Sequence, residues 1–213
     1  GPLEFENHLV VGPECRGALS LARRFQDPLA ELVHVDPKAL SLGPHMHDVH
    51  QGSLRQMLET TIESCVAHAG VNPATADVEL LARVPGFNRK SAAAFIAWRE
   101  QAGPLTDKAH LAAIEGVGPD VAEQAVGFLR IPDAADVRDR AQLHPEQYGV
   151  IEKMAAQAGV DVATLFEDAN ARKRVHLDAL ADDEIGPATL KYALFQVTAG
   201  TRDPRPRFTQ PIP

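Results

Sequence analysis

Cysteine is scarce in this 213-residue chain: Cys15 and Cys65 are the two present, without metal-ligand spacing. That argues against a disulfide-stapled secreted scaffold and a cysteine-built metal module, and points to two reduced thiols in the cytoplasm. Long apolar runs are missing too. None approaches the roughly 20 residues that span a bilayer, and no signal peptide is visible. Strand signals are nearly absent, so the chain reads as mostly α. Positive charge is also short: 21 Lys and Arg against 29 Asp and Glu give a net charge of −8. A protein that grips phosphates tightly by itself is usually basic, so strong stand-alone affinity for nucleic acid is not expected.

What the sequence does contain is a repeat. Leu81-Ala-Arg-Val84-Pro-Gly86-Phe-Asn-Arg-Lys-Ser-Ala92 aligns with Leu111-Ala-Ala-Ile114-Glu-Gly116-Val-Gly-Pro-Asp-Val-Ala122, thirty residues on. Each copy reads as a helix end, a tight glycine turn and a new helix. Gly86 and Gly116 permit positive φ. The helix that follows offers unpaired N–H groups and the positive end of its dipole, the parts of a site that holds phosphate without reading a base. The requirements are split between the copies. The first carries Arg83, Arg89 and Lys90, with Asn88 where a second glycine is expected. The second keeps Gly116 and Gly118 but is ringed by Glu115, Asp120 and Glu123.

The spacing predicts helices at roughly 75–83, 88–101, 106–113 and 119–128, with Thr106 as an N-cap. A long helix precedes them from Gly52 to near Gly70, its apolar stripe formed by Leu54, Met57, Leu58, Ile62, Cys65 and Val66. Another runs from Gly17 towards Val33 and is interrupted by Pro28. Beyond Ile131-Pro132-Asp133, helices are expected at 144–159, 161–170 and 186–197, then a basic, proline-rich exit from 201.

The pattern at 111–122 resembles the helix-hairpin-helix motif, with 81–92 a looser copy. A wider likeness follows. The strings from Arg16 to Val33, Asp36-Pro-Lys, His47-Asp48-Val49, Leu80-Leu-Ala-Arg-Val, Ala125-Val-Gly-Phe-Leu-Arg-Ile, His144-Pro-Glu-x-Tyr148 and Gly200-Thr-Arg-Asp-Pro-Arg-Pro-Arg-Phe208 resemble the Tex family of bacterial transcription accessory proteins. Pro44-His-Met-His-Asp-Val49 departs from that family's Gln-Tyr-Gln-His-Asp-Val string. The resemblance implies an all-α fold, a paired helix-hairpin-helix domain plus a second small helical domain. The implied divisions are 1–50, a YqgF-like remnant and connector; 51–132, the long helix and tandem hairpins; 133–200, the second helical domain; and 201–213, a basic tail. The principal RNA-binding domain of the family, an S1 barrel, is expected to lie outside this chain.

Other constellations compete weakly. His45, His47, Asp48 and His50 are too compact for a metal site without a distant partner, and His47-Asp48 reads as a structural pair. Cys15 and Cys65 lack an activating base. Asp182-Asp-Glu184 reads as capping, Arg172-Lys-Arg174 as a solvated face, and Phe95 and Trp98 as core. The expectation is therefore a non-catalytic scaffold with no cofactor and no metal, away from membranes. It would bind single- or double-stranded nucleic acid weakly and without sequence preference, through Arg83, Gly86, Asn88, Arg89, Lys90, Gly116 and Gly118. The alternative is a module that docks on RNA polymerase or other transcription machinery without touching nucleic acid. A metal-dependent hydrolase is the third, minor reading.

Overall fold

The computed structural model describes residues 13–36, 43–181 and 185–201. The fold is all-α; among these residues the one extended pairing is an isolated parallel bridge between Val71 and Leu129. No described helix is long and apolar enough to cross a membrane.

Helices α1 (Pro13–Gln26) and α2 (Pro28–Leu32) open the chain. The run towards Val33 breaks at Asp27, whose Oδ1 accepts the amides of Leu29 and Ala30 at 3.1 and 3.2 Å. Pro28 then occupies the first helical turn, where its missing N–H has no intrahelical partner to lose.

A 3₁₀ turn at Pro44–His47 leads to α3 (Gln51–Ala69). Here His45, rather than His47, pairs with Asp48, at 3.1 Å and in the open. His50 caps α3 by accepting the amide of Ser53. The apolar stripe of α3 is covered at its C-terminal end: Val66 and Ala69 are buried, whereas Met57 is 70% exposed and Cys65 is exposed. The helix is anchored by its last turn and extends past the core it joins.

The repeat region comprises α4 (Val78–Leu81), α5 (Arg89–Ala102), a 3₁₀ turn at Lys108–Ala113, α6 (Pro119–Ala125) and a 3₁₀ turn at Val126–Phe128. The first helix starts later than periodicity suggests. Asn72 Oδ1 accepts the amide of Ala74 in a turn, and Asp77 provides the N-cap by accepting from Leu80 at 2.9 Å. The third element is 3₁₀ and is capped by Asp107, not Thr106. Six residues between a cap and a glycine turn gain little from α-helical hydrogen bonding. Leu81, Phe95, Leu111 and Leu129 fill the centre of this core. Phe87 meets Phe95 edge-on at 6.2 Å, and Trp98 lies 5.7 Å from Phe95, so these aromatics face the core.

A second hydrophobic cluster gathers α7 (Val137–Arg140), α8 (Tyr148–Ala158), α9 (Val162–Glu167), α10 (Ala169–Lys173) and α11 (Pro187–Ala199) around Ile151, Met154, Leu165 and Leu190. Arg172 is not merely solvated: its Nη1 donates to the carbonyls of Leu165 and Phe166, closing the C-terminus of α9. The carboxylates at 182–184 and the arginines at 202, 205 and 207 lie outside the described residues.

The two clusters meet through polar groups. Lys108 is 2% exposed, and its Nζ donates to the carbonyls of Ala141 and Leu143 at 2.9 and 2.7 Å. Asp139, also buried, accepts the Lys108 amide and the Tyr148 hydroxyl, while its own carbonyl accepts from Ile131. Gln142 donates to Ala67 O, and His144 Nε2 to Glu123 O. Burial pushes the Lys108 ammonium down to about 8. A neutral amine retains two N–H donors, enough for both carbonyls.

Candidate nucleic-acid interface

The two hairpins pack into each other through their glycines. Gly86, at φ 91°, lies so close to α6 that a Cβ there would stand 2.7 Å from Gln124 Cβ and 3.1 Å from the backbone of Val121 and Ala125. Reciprocally, Gly116, at φ 84°, would place a Cβ 2.7 Å from Ala94 Cβ on α5. Each turn thus rests on the second helix of the other copy. Gly118, at φ 81°, differs: open space surrounds its missing Cβ.

At the first hairpin, Asn88 is an N-cap whose side chain accepts the amides of Lys90 and Ser91, while Ser91 Oγ accepts the Asn88 amide. This capping box consumes amides that would otherwise face a phosphate. The substitution of Asn for the usual glycine therefore yields a well-capped helix and removes backbone donors. Asn88→Ala is expected to cost about 1 kcal/mol of stability, read from a denaturant midpoint.

The cations of this hairpin are unequal. Arg89 pairs with Glu79 on α4, and Arg83, half-buried, stands 3.9 Å from Glu63 on α3. Lys90 is exposed and has no ion pair among the described residues. At the second hairpin the helix starts Gly118-Pro119 with no side-chain cap, so its first-turn amides remain open. Asp120 in that turn and exposed Glu115 and Glu123 make the rim acidic. The first hairpin offers charge without amides, the second amides without charge. Periodicity located both turns; it could not show that Glu63 and Glu79 engage two of the three cations, because those contacts form between helices. Nor did any signal mark Lys108, which follows two polar residues.

Among the described residues, no group of three or more His, Cys, Asp or Glu could hold a metal ion.

Two family profiles cover the helical regions. One, described as a helix-hairpin-helix motif, matches residues 66–130, and one described as an HHH domain matches residues 137–205. Protein tex of Bordetella pertussis is 40% identical over 193 residues, 91% of this chain and 24% of that protein. The transcriptional accessory protein Tex of Neisseria gonorrhoeae is 39% identical over 91% of this chain and 26% of its own length. The human S1 RNA-binding domain-containing protein 1 is 36% identical over 76% of this chain and 16% of its own. The chain spans about a quarter of the length of the bacterial relatives it matches. Its hairpin pair, its second helical region and this continuous likeness make it a member of the Tex family.

Proposed function

We propose that this chain is a non-catalytic scaffold that holds single- or double-stranded nucleic acid weakly, and without sequence preference, through the first hairpin. The observation that carries the reading is Lys90: an exposed, uncommitted cation in the first turn of a 14-residue helix, immediately after the Gly86 turn. Lys90 meets one phosphate, and Arg89 joins when it exchanges Glu79 for phosphate oxygens. Arg83 contributes longer-range attraction from beside Glu63. The open amides following Gly118 take a second phosphate. Gly86 and Gly116 hold the two turns at that separation, and Asn88 fixes the helix start. Contacts of this kind address the backbone and carry no base information. The name of the Neisseria gonorrhoeae relative describes a transcriptional accessory protein, and the human relative's name includes RNA binding; both support the reading and a cytoplasmic setting beside transcription machinery.

Titration of labelled oligonucleotides into the wild type, Lys90→Glu and Glu79→Gln tests it. Lys90→Glu is expected to weaken binding about tenfold, and Glu79→Gln to tighten it about threefold by releasing Arg89. Unchanged affinity in both variants would sink the assignment. The second reading, a protein-docking module, is favoured by exposed apolar side chains away from the hairpins: Leu21 and Phe25 on α1, Tyr192 and Phe195 on α11. Flat oligonucleotide titrations at low salt would favour it.

A further inference from the structure

We propose that His34 and Asp77 form a proton-operated latch, which fastens the α1–α2 pair to the hairpin core while the imidazole is charged and loosens when its proton leaves. The pair depends on such a fastener because its apolar contact is thin. Helix α2 buries none of its own residues; Leu29 and Ala30 are partly covered by the hairpin core, and Val33, its C-cap, enters that core. Between pair and core runs a groove of ≈ 950 Å³, lined by Leu19 and Leu29 of the pair and by Val71 and Leu80 of the core. Along such a groove the facing side chains forgo the dispersion contacts of a closed interface.

His34 and Asp77 both line the groove and join its two sides. His34, in the turn after α2, donates from Nε2 to Oδ2 of Asp77, the N-cap of α4, at 2.7 Å. The other carboxylate oxygen, Oδ1, accepts the Leu80 amide at 2.9 Å. Asp77 is therefore held by its own helix and cannot follow His34 when α2 moves. The His34 side chain is 39% exposed and that of Asp77 13%, so the ring can trade its proton with solvent while its acceptor is largely shielded.

The surrounding charges decide the sign. Asp77 and Glu79 from α4 and Glu31 from α2 favour the imidazolium, whereas burial opposes it. Asp27, the N-cap of α2, adds negative charge to the groove, and Arg23 of α1, Arg130 and Arg140 add positive charge. From α5, Arg99 attracts Asp77 while donating to the Pro73 and Ala76 carbonyls. The hydrogen bond to Asp77 is the largest influence on His34, and it raises the pKa above the ordinary 6.5. Burial works against the Asp77 charge, but the His34 hydrogen bond and the Leu80 amide hold its carboxyl below the usual range. A folded-state pKa above the unfolded one makes the charged tie complete below about 6.5, and it is lost as pH rises through the folded value. Neutral His34 keeps one N–H, so the latch loosens without vanishing.

Two readouts on the full chain test the latch: an NMR titration of His34, and amide hydrogen exchange over residues 28–35. His34 should titrate above 6.5 in the wild type and fall back towards it in Asp77→Asn, which removes the charge but retains a good helix cap. Protection of residues 28–35, corrected for intrinsic exchange, should drop about threefold between pH 6 and 8 in the wild type, the size expected of a partly exposed ion pair. It should stay level in Asp77→Asn and His34→Gln, with α5 and α8 unchanged throughout. A wild-type His34 that titrates at or below 6.5 overturns the proposal. So does protection that is level in the wild type, or a drop that the variants share. Should Asp77→Asn fail to fold, His34→Gln decides: a drop that persists without the imidazole refutes the latch.

Discussion

Gly86→Ala is expected to destabilise the fold by about 3 kcal/mol, the sum of a left-handed backbone penalty and overpacking against a helix. The magnitude follows from what a Cβ would meet. Gln124 Cβ at 2.7 Å is set by the α6 backbone and cannot rotate away, and the Val121 carbonyl and Ala125 amide at 3.1 Å are backbone of the same helix. Accommodation therefore requires the hairpins to separate. Gly116→Ala falls in the same class, with Ala94 on α5 as the obstacle. Gly118 is the internal control: its φ of 81° is similar, but the space is open, so Gly118→Ala carries the conformational term alone, about 1 kcal/mol. Thermal melts of the three variants decide. A midpoint loss of about 10 °C for Gly86→Ala against about 3 °C for Gly118→Ala is expected for a chain of this size. Equal losses would mean that the glycines are present for their dihedrals only, and that the reciprocal packing of the hairpins contributes little.

The second large effect belongs to Lys108. Lys108→Met keeps most of the side-chain volume but leaves the carbonyls of Ala141 and Leu143 without their donor, a loss of about 3 kcal/mol. The pH dependence separates this role from simple packing. Burial lowers the folded-state pKa from 10.5 to about 8, so between these values the unfolded chain binds a proton that the folded chain has released. Stability from this group therefore rises with pH, beginning near 8, and amounts to about 2 kcal/mol by pH 10. Above 10 the trend is opposed by Tyr148, whose hydroxyl is held protonated by burial and by its hydrogen bond to Asp139. Denaturant melts at pH 7.5 and 10 should show wild-type stabilisation that Lys108→Met lacks. A wild-type profile that falls monotonically over that interval would mean the amine stays charged inside the joint.

The all-α fold and the two hairpin turns were legible because their signals are local: a glycine where φ must be positive and apolar residues at helical spacing. Caps were less so: Asp27, Asp77 and Asn88 cap helices without having been singled out for it, and Asp107 takes the place expected of Thr106. What escaped was tertiary. Whether α3 buries its stripe depends on how far the core reaches along it, which leaves Met57 and Cys65 outside. Whether an arginine is available depends on a glutamate from another helix, as Arg83 and Arg89 show. Lys108 carried no sequence signal because its two acceptors lie more than thirty residues away. The asymmetry of the repeat was visible in the sequence as charges against glycines; its physical form, one hairpin with closed amides and one without a side-chain cap, required coordinates.

The central claim is that phosphate is held at the first hairpin, and the salt dependence of binding tests it most directly. Equilibrium titrations of a duplex oligonucleotide from 20 to 200 mM salt should give a plot of log K against log salt with a slope of about −2, from two to three neutralised phosphates. Lys90→Glu should flatten that slope by about one while leaving the fold intact. A flat wild-type plot, or a variant slope identical to the wild type, would contradict the account.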